Sequence, residues 1–171
     1  PLYSSAASDV YKRQFLNSAH VVAGNNLTTT KAVAEVDSVA QLNPSKVFIM
    51  VGLNDVNFGS KSAEAIAEDL ITLAGAVKDS CPSAKVYILS LLPVTSGFEA
   101  RDTNKITQSA IDDVNDTVSV LAASAGYTYI DVASAYKNGA GYLNPDYSTN
   151  GMNLHHDYYA FLLNSIAEVA K

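Results

Sequence analysis

The chain has 171 residues, of which 48% are hydrophobic and 16% charged, with a formal net charge of -6 and a pI near 4.8. That length suits one domain with a substantial core, while the shortage of Lys and Arg argues against a nucleic-acid partner, whose phosphates demand concentrated positive charge. No run of about 18 apolar residues could span a bilayer. The single Cys81 excludes an internal disulfide and has no Cys or His neighbours at metal-ligand spacing, so a buried, inert thiol is expected. Neither a cofactor nor a metal site is read from the sequence.

Pro1–Gln14 resembles translated sequencing-adapter read-through and is expected to be a non-native leader, leaving residues 15–171 as a single domain. From Phe15 onward short apolar runs alternate with amphipathic stretches, the pattern of an α/β domain with a mainly parallel sheet. His20–Gly24 reads as a short strand, followed by a helix from Thr29 to Leu42 with Val33, Val36, Val39 and Leu42 inward. Val47–Val51 is uniformly apolar and reads as a strand covered on both faces. Ser62 caps a helix that turns Ile66, Leu70, Leu73 and Val77 to one side and closes at Cys81-Pro82. Val86–Leu89 is the next strand. A long helix opening at Thr103 carries Ile106, Ala110, Ile111, Val114, Val118 and Leu121 at three- and four-residue spacing and ends at Gly126. Tyr127–Val132 is the fourth strand. A loop from Ala133 to Leu154 follows, long enough in a compact domain to suggest a functional role. The last helix, from His156 or Asp157 to Ala170, should bury Phe161, Leu162, Ile166 and Val169. Five strands and five helices would be usual for such a domain, and no internal repeat is present.

Three polar pieces fall where ligands sit in open α/β sheets, beyond the carboxyl ends of strands or before the last helix. They are Gly24-Asn25-Asn26, Gly52-Leu53-Asn54-Asp55 and Asn150-Gly151-Met152-Asn153-Leu154. Read locally, each could equally be a turn or helix cap. No Gly-rich phosphate loop follows the first strand, which weighs against a flavodoxin-like binding domain.

The ordered set, with the phrase from Leu42 to Met50 leading into Gly-x-Asn-Asp and Tyr158-Tyr159 after the last piece, resembles the SGNH/GDSL hydrolase family over roughly residues 15–171. The resemblance implies a three-layer α/β/α sandwich with a flavodoxin-like sheet, here lacking its first strand and therefore expected to leave strand edges exposed. It also implies a serine ester hydrolase acting on a small ester or an acylated carbohydrate, in a secreted or cell-surface location. By resemblance Asn54 and the backbone N–H of Gly24 donate to the oxyanion of the tetrahedral intermediate, Asp55 lies on the substrate side, and a Ser in a Gly-Asp-Ser block is the nucleophile.

The chain departs from the family at the groups that move protons. It contains no Gly-Asp-Ser block, and Ser4, Ser5, Ser8 and Ser18 do not replace it; the block is expected to have been lost with the natural amino end. Asn150 stands where the family has Asp, and Asn153 where it has His. An amide nitrogen is not basic, so neither can relay the proton that activates a hydroxyl. The copy is therefore expected to be inactive or severely impaired, and the alternative is a catalytically inactive domain that binds a glycan or a protein. His155, or His156, could substitute as base if Asp131, Asp146 or Asp157 oriented the ring, or both could be exposed residues of a first helical turn. A metal site from His155, His156 and Asp157 is disfavoured, because neighbours on a helix point apart. Tyr142 and Tyr147, with Tyr136, Tyr158 and Tyr159, could stack on a sugar face or serve as packing residues.

Overall fold

A strand followed by a helix returns the chain to its starting end, so successive strands can pair in parallel. The computed structural model, which describes residues 20–24, 26–101, 103 and 105–169, has this arrangement. Strands β1 (Lys46–Ile49), β2 (Lys85–Leu89) and β3 (Thr128–Ile130) form a parallel sheet in the order β1-β2-β3, with Val47 opposite Val86 and Ile88 opposite Tyr129. Among the described residues the α-helices are α1 (Thr29–Ala32), α2 (Val36–Gln41), α3 (Leu53–Phe58), α4 (Ala63–Ser80), α5 (Ser96–Glu99), α6 (Gln108–Ser124) and α7 (Tyr159–Val169). The expected leader Pro1–Gln14, the serines Ser4, Ser5, Ser8 and Ser18, Asn25, and Ala170 lie outside the described residues.

β2 decides the layering. Its Val86 and Ile88 join Ile66, Leu70, Leu73 and Val77 of α4 and Ile111, Val114 and Val118 of α6 in one core. Its Tyr87 and Leu89 join Ile130, Val132, Leu162 and Ile166 in another. Because successive strand side chains point to opposite faces, α4 and α6 cover one side of the sheet and α7 the other. The result is the expected α/β/α sandwich. Each fully buried Ile, Leu or Val contributes about 1.5–3 kcal/mol by leaving water.

The long helices follow local chemistry. Ser62 Oγ accepts from Ala65 N at 3.2 Å and starts α4 as its sequence predicts. α6 starts later than the expected Thr103. Thr107 is the residue whose side chain accepts from Ala110 N, and Ile106 packs into the core ahead of the helix. α6 ends as expected at Gly126, φ +79°, with Gly126 N donating to Ala123 O and Tyr127 N to Ala122 O. Cys81 is buried, as expected.

Several expectations are corrected. His20–Gly24 forms no strand, and Val21 and Val22 are exposed, since no neighbouring strand pairs with these residues in the described sheet. A 3-10 turn at Val33–Glu35 divides the expected Thr29–Leu42 helix and shifts its register, so Ala32 and Val36 are buried while Val33 and Leu42 are exposed. β1 is not covered on both faces: it lies at an edge of the described sheet, and Phe48, stacked on Tyr87 at 4.9 Å, remains 38% exposed. Phe161 and Val169 of α7 are likewise exposed. Three strands are described, rather than the four read from sequence or the usual five.

The 133–154 segment is organised throughout. It contains 3-10 turns at Ser134–Tyr136 and Pro145–Tyr147, and two short antiparallel bridges close it, Lys137 with Leu143 and Ser148 with Leu154. Tyr136 and Leu143 anchor it in the second core.

Candidate functional site

The carboxyl end of β1 turns sharply into α3 through Gly52. Its φ of +133° suits a residue without Cβ, and a Cβ there would meet Ile66 and Leu91 at 3.4 and 3.5 Å. The turn places Asn54 and Asp55 in the first turn of α3. Asn54 Nδ2 donates to Leu27 O at 2.8 Å, which fixes the side chain and ties the chain at Leu27 to the tip of β1. A primary amide carries two N–H donors, so this bond leaves Asn54 a second one.

Asp55 has a different place from the substrate side expected of it. It is 1% exposed, and its carboxylate accepts from Thr29 N and Thr29 Oγ1, both at 2.9 Å, and from Lys61 Nζ at 3.2 Å. Lys61 also pairs with Asp69, whose Oδ2 is 3.0 Å from Thr29 Oγ1. Two acids, a lysine and a threonine thus lock the start of α1 onto α3 and α4. The Lys61 bond holds the Asp69 carboxyl below its usual range, against burial that pushes it up, with Thr29 assisting. Contact with Asp69, opposed by burial and reinforced by Asp55, raises the Lys61 ammonium above its usual value. Sequence reading missed Lys61, Thr29 and Asp69, because the bonds to Thr29 join residues 26 to 40 positions apart and leave no local pattern.

The carboxyl end of β2 is held from two sides. Asn115 of α6 accepts from Leu91 N at 2.7 Å and donates to Leu91 O at 3.0 Å, and Gln108 Oε1 accepts from Val94 N at 2.9 Å. Thr95 N then donates to Gly151 O at 2.8 Å. Gly151, φ +92°, lies so close that a Cβ would stand 2.6 Å from Thr95 Oγ1 and 2.7 Å from Phe98 Cβ. This contact docks the 148–154 turn against the β2 tip.

Within that turn Asn150 and Asn153 shape the backbone. Asn150 Oδ1 accepts from Met152 N and Asn153 N at 3.1 and 2.9 Å, and its carbonyl accepts from Arg101 at 3.0 Å. Asn153 O accepts from Ser148 Oγ and Thr149 N at 2.8 and 3.1 Å. Asn150 is exposed and Asn153 half-buried.

Immediately beyond, His155 N donates to Tyr147 O at 2.7 Å. Asp157 faces both imidazoles, with Oδ2 at 3.1 Å from His155 Nδ1 and Oδ1 at 2.8 Å from His156 Nε2. Of the three acids considered as partners for His155, Asp157 is the one that pairs with it. Asp131 instead caps the Ser134 turn: burial pushes its carboxyl up, but bonds from Ser134, Ala133 and Ser90 outweigh that and hold it below its usual value.

Tyr147 lies 4.3 Å from Tyr158, ring to ring, and edge-on to Tyr136, while Tyr142 sits on the separate 137–143 bridge, its backbone bonded to Asn138. Gly24 is exposed.

The parallel sheet between helical layers defines an α/β domain, and the turns at Asn54 and at 148–154 lie near the carboxyl ends of β1 and β2. The profile of the GDSL-like lipase/acylhydrolase family matches residues 3–157, and the chain belongs to that family. Its fold is shared with a GDSL-like lipase from Bacteroides thetaiotaomicron, at a TM-score of 0.81 and 20% identity, covering 98% of this chain and 83% of that one. A lipase/acylhydrolase from Enterococcus faecalis is also similar, at a TM-score of 0.70 and 19% identity, covering 95% and 83%. In sequence, 126 residues are 29% identical to an N-acylneuraminate cytidylyltransferase from Escherichia coli. The chain's match takes in 73% of its own length but spans only 28% of that protein.

Proposed function

We propose that this chain is an ester-hydrolase module that keeps the oxyanion-binding half of its family's site and has lost the proton relay. The observation that carries the reading is Asn54, held by Leu27 O in the first turn of α3 with a second amide N–H to offer. With the Gly24 amide it would polarise the carbonyl of a small ester or acylated carbohydrate, and such donors are each worth ~10²–10³ in rate. Asn150 and Asn153 hold the family's Asp and His positions and cannot take up a proton, which leaves turnover feeble or absent. In this reading residual turnover would draw on His155 paired with Asp157, since a carboxylate at one ring nitrogen leaves the other to accept. Tyr142 and Tyr147 are the substrate-facing rings of this reading, and no nucleic-acid partner is expected. The module is expected to act at the cell surface or outside the cell.

The test is hydrolysis of p-nitrophenyl acetate by this chain and by a fusion carrying a Gly-Asp-Ser strand from a family member. Expected is slow turnover in the fusion, reduced ~100-fold by Asn54→Ala and further by His155→Ala. No hydrolysis, or hydrolysis indifferent to Asn54, sinks the enzyme reading.

A second reading, a non-catalytic domain that binds a glycan, is favoured by one observation. Asn150 has its side-chain oxygen committed to the Met152 and Asn153 amides, as a residue kept for shape would. Saturable glycan binding without turnover supports it.

A further inference from the structure

We propose that His155, His156 and Asp157 form a binding site for a borderline divalent cation such as Zn²⁺, at the start of the last helix. Consecutive residues of an α-helix are splayed by about 100° and make poor common ligands. These three residues are not in an α-helix. His155 has an extended backbone, φ -65° and ψ 146°, and Asp157 lies within the 3-10 turn His156–Tyr158 that precedes α7. The change of backbone direction at His155 brings the two imidazoles close together in a tilted arrangement, with centroids 4.2 Å apart and planes inclined by 41°. It also brings His155 Nδ1 and His156 Nε2 onto the two oxygens of one carboxylate.

The donor set then defines the ligand. One ligating atom from each residue lies within 4.8 Å of the other two. In a tetrahedral zinc site, ligands at 2.0–2.1 Å from the ion stand roughly 3.4 Å apart. Closing that difference would call on rotation about the side-chain torsions of three residues that are 41% to 66% exposed. Two imidazoles with one carboxylate suit Zn²⁺, Cu²⁺ or Ni²⁺; Mg²⁺ and Ca²⁺ prefer sets made of oxygen alone. The side chains are 41%, 64% and 66% exposed for His155, His156 and Asp157, which leaves room for water to complete the coordination. The carboxylate and the chain's net charge of -6 both favour a cation here. Since the ion takes up His155 Nδ1 and Asp157, metal binding and the base role of this pair exclude each other. The site stands whether or not the chain turns over an ester.

Titration of Zn²⁺ into the chain at pH 7.5, read by competition with a chromophoric chelator, tests the proposal. Expected is binding of one ion per chain with a Kd of roughly 1–100 µM, set by three ligands and an open position. His155→Ala and His156→Ala should each weaken it at least ~10-fold, and the isosteric Asp157→Asn should also weaken it. His20→Ala should leave it unchanged. Lowering the pH to 5.5 should weaken it, as protons compete for imidazole. Far-UV circular dichroism of each variant should match the parent, as expected for surface substitutions. Failure to bind Zn²⁺ below 1 mM, or binding that survives the His155→Ala/His156→Ala double change, overturns it.

Discussion

Asp55 shows how much a single side chain does in this fold. Its neighbour Asn54 reaches out to Leu27 O, while Asp55 turns inward to hold the N–H and hydroxyl of Thr29. Adjacent residues of one helical turn therefore grip the incoming chain at two points. The neighbouring Lys61–Asp69 pair, which also bonds Thr29, makes this region respond to pH. A carboxyl held below its usual value in the folded state adds stability above its unfolded pKa, and loses it as pH falls through the folded one. Asp69 is such a group, with an ordinary value of 3.8. The melting temperature should therefore decline from about pH 4 downward, and Lys61→Met should flatten that decline while lowering the plateau above it. A pH–Tm series by differential scanning calorimetry measures both effects. A steeper decline in the variant would contradict the Lys61–Asp69 pairing. The Asn-Asp pair was visible in the sequence as a polar tip, but its division of labour was not. An isolated tetrapeptide does not reveal which of its side chains will find a partner 26 residues upstream.

At the scale of elements, what could be read depended on how local the determinant was. The Ser62 cap and the Ile66, Leu70, Leu73, Val77 stripe of α4 lie within one helix and read directly. The start of α6 did not. Thr103 and Thr107 are both acceptable caps, and the choice between them rests on Ile106 being drawn into the core before the helix begins. Thr107→Ala should accordingly cost about 1 kcal/mol in urea denaturation, whereas Thr103→Ala should cost far less. β1 shows the complementary failure. Five apolar residues in a row implied cover on both faces, but cover depends on what lies beside the strand, and Phe48, stacked on Tyr87, stays 38% exposed. His155, His156 and Asp157 were weighed in the sequence on helical spacing, whereas the chain makes a 3-10 turn there.

At the scale of the whole molecule, the three layers and the family were legible from the alternation of elements and the spacing of the polar turns. Exposure at the sheet edge was not fully so. A strand edge with an exposed aromatic residue is a template for pairing with another chain. Light scattering by this protein should rise with concentration more steeply than for an ideal monomer, and Phe48→Lys should reduce that rise; identical curves for the two proteins would show that the β1 edge is not the contact. The 137–143 bridge offers a practical opening of a different kind. Asn138 Oδ1 accepts from Ala140 N and Tyr142 N, and Gly141 turns the chain at φ +84°. Nothing stands within 4 Å of where a Cβ would sit on Gly139 or Gly141. Leu143 beneath them is fully buried, so the tip projects from an anchored base. A fluorophore-binding peptide spliced between Gly139 and Gly141 would stand clear of both cores, giving an internal handle for folding studies, which do not call on Tyr142 as a substrate contact.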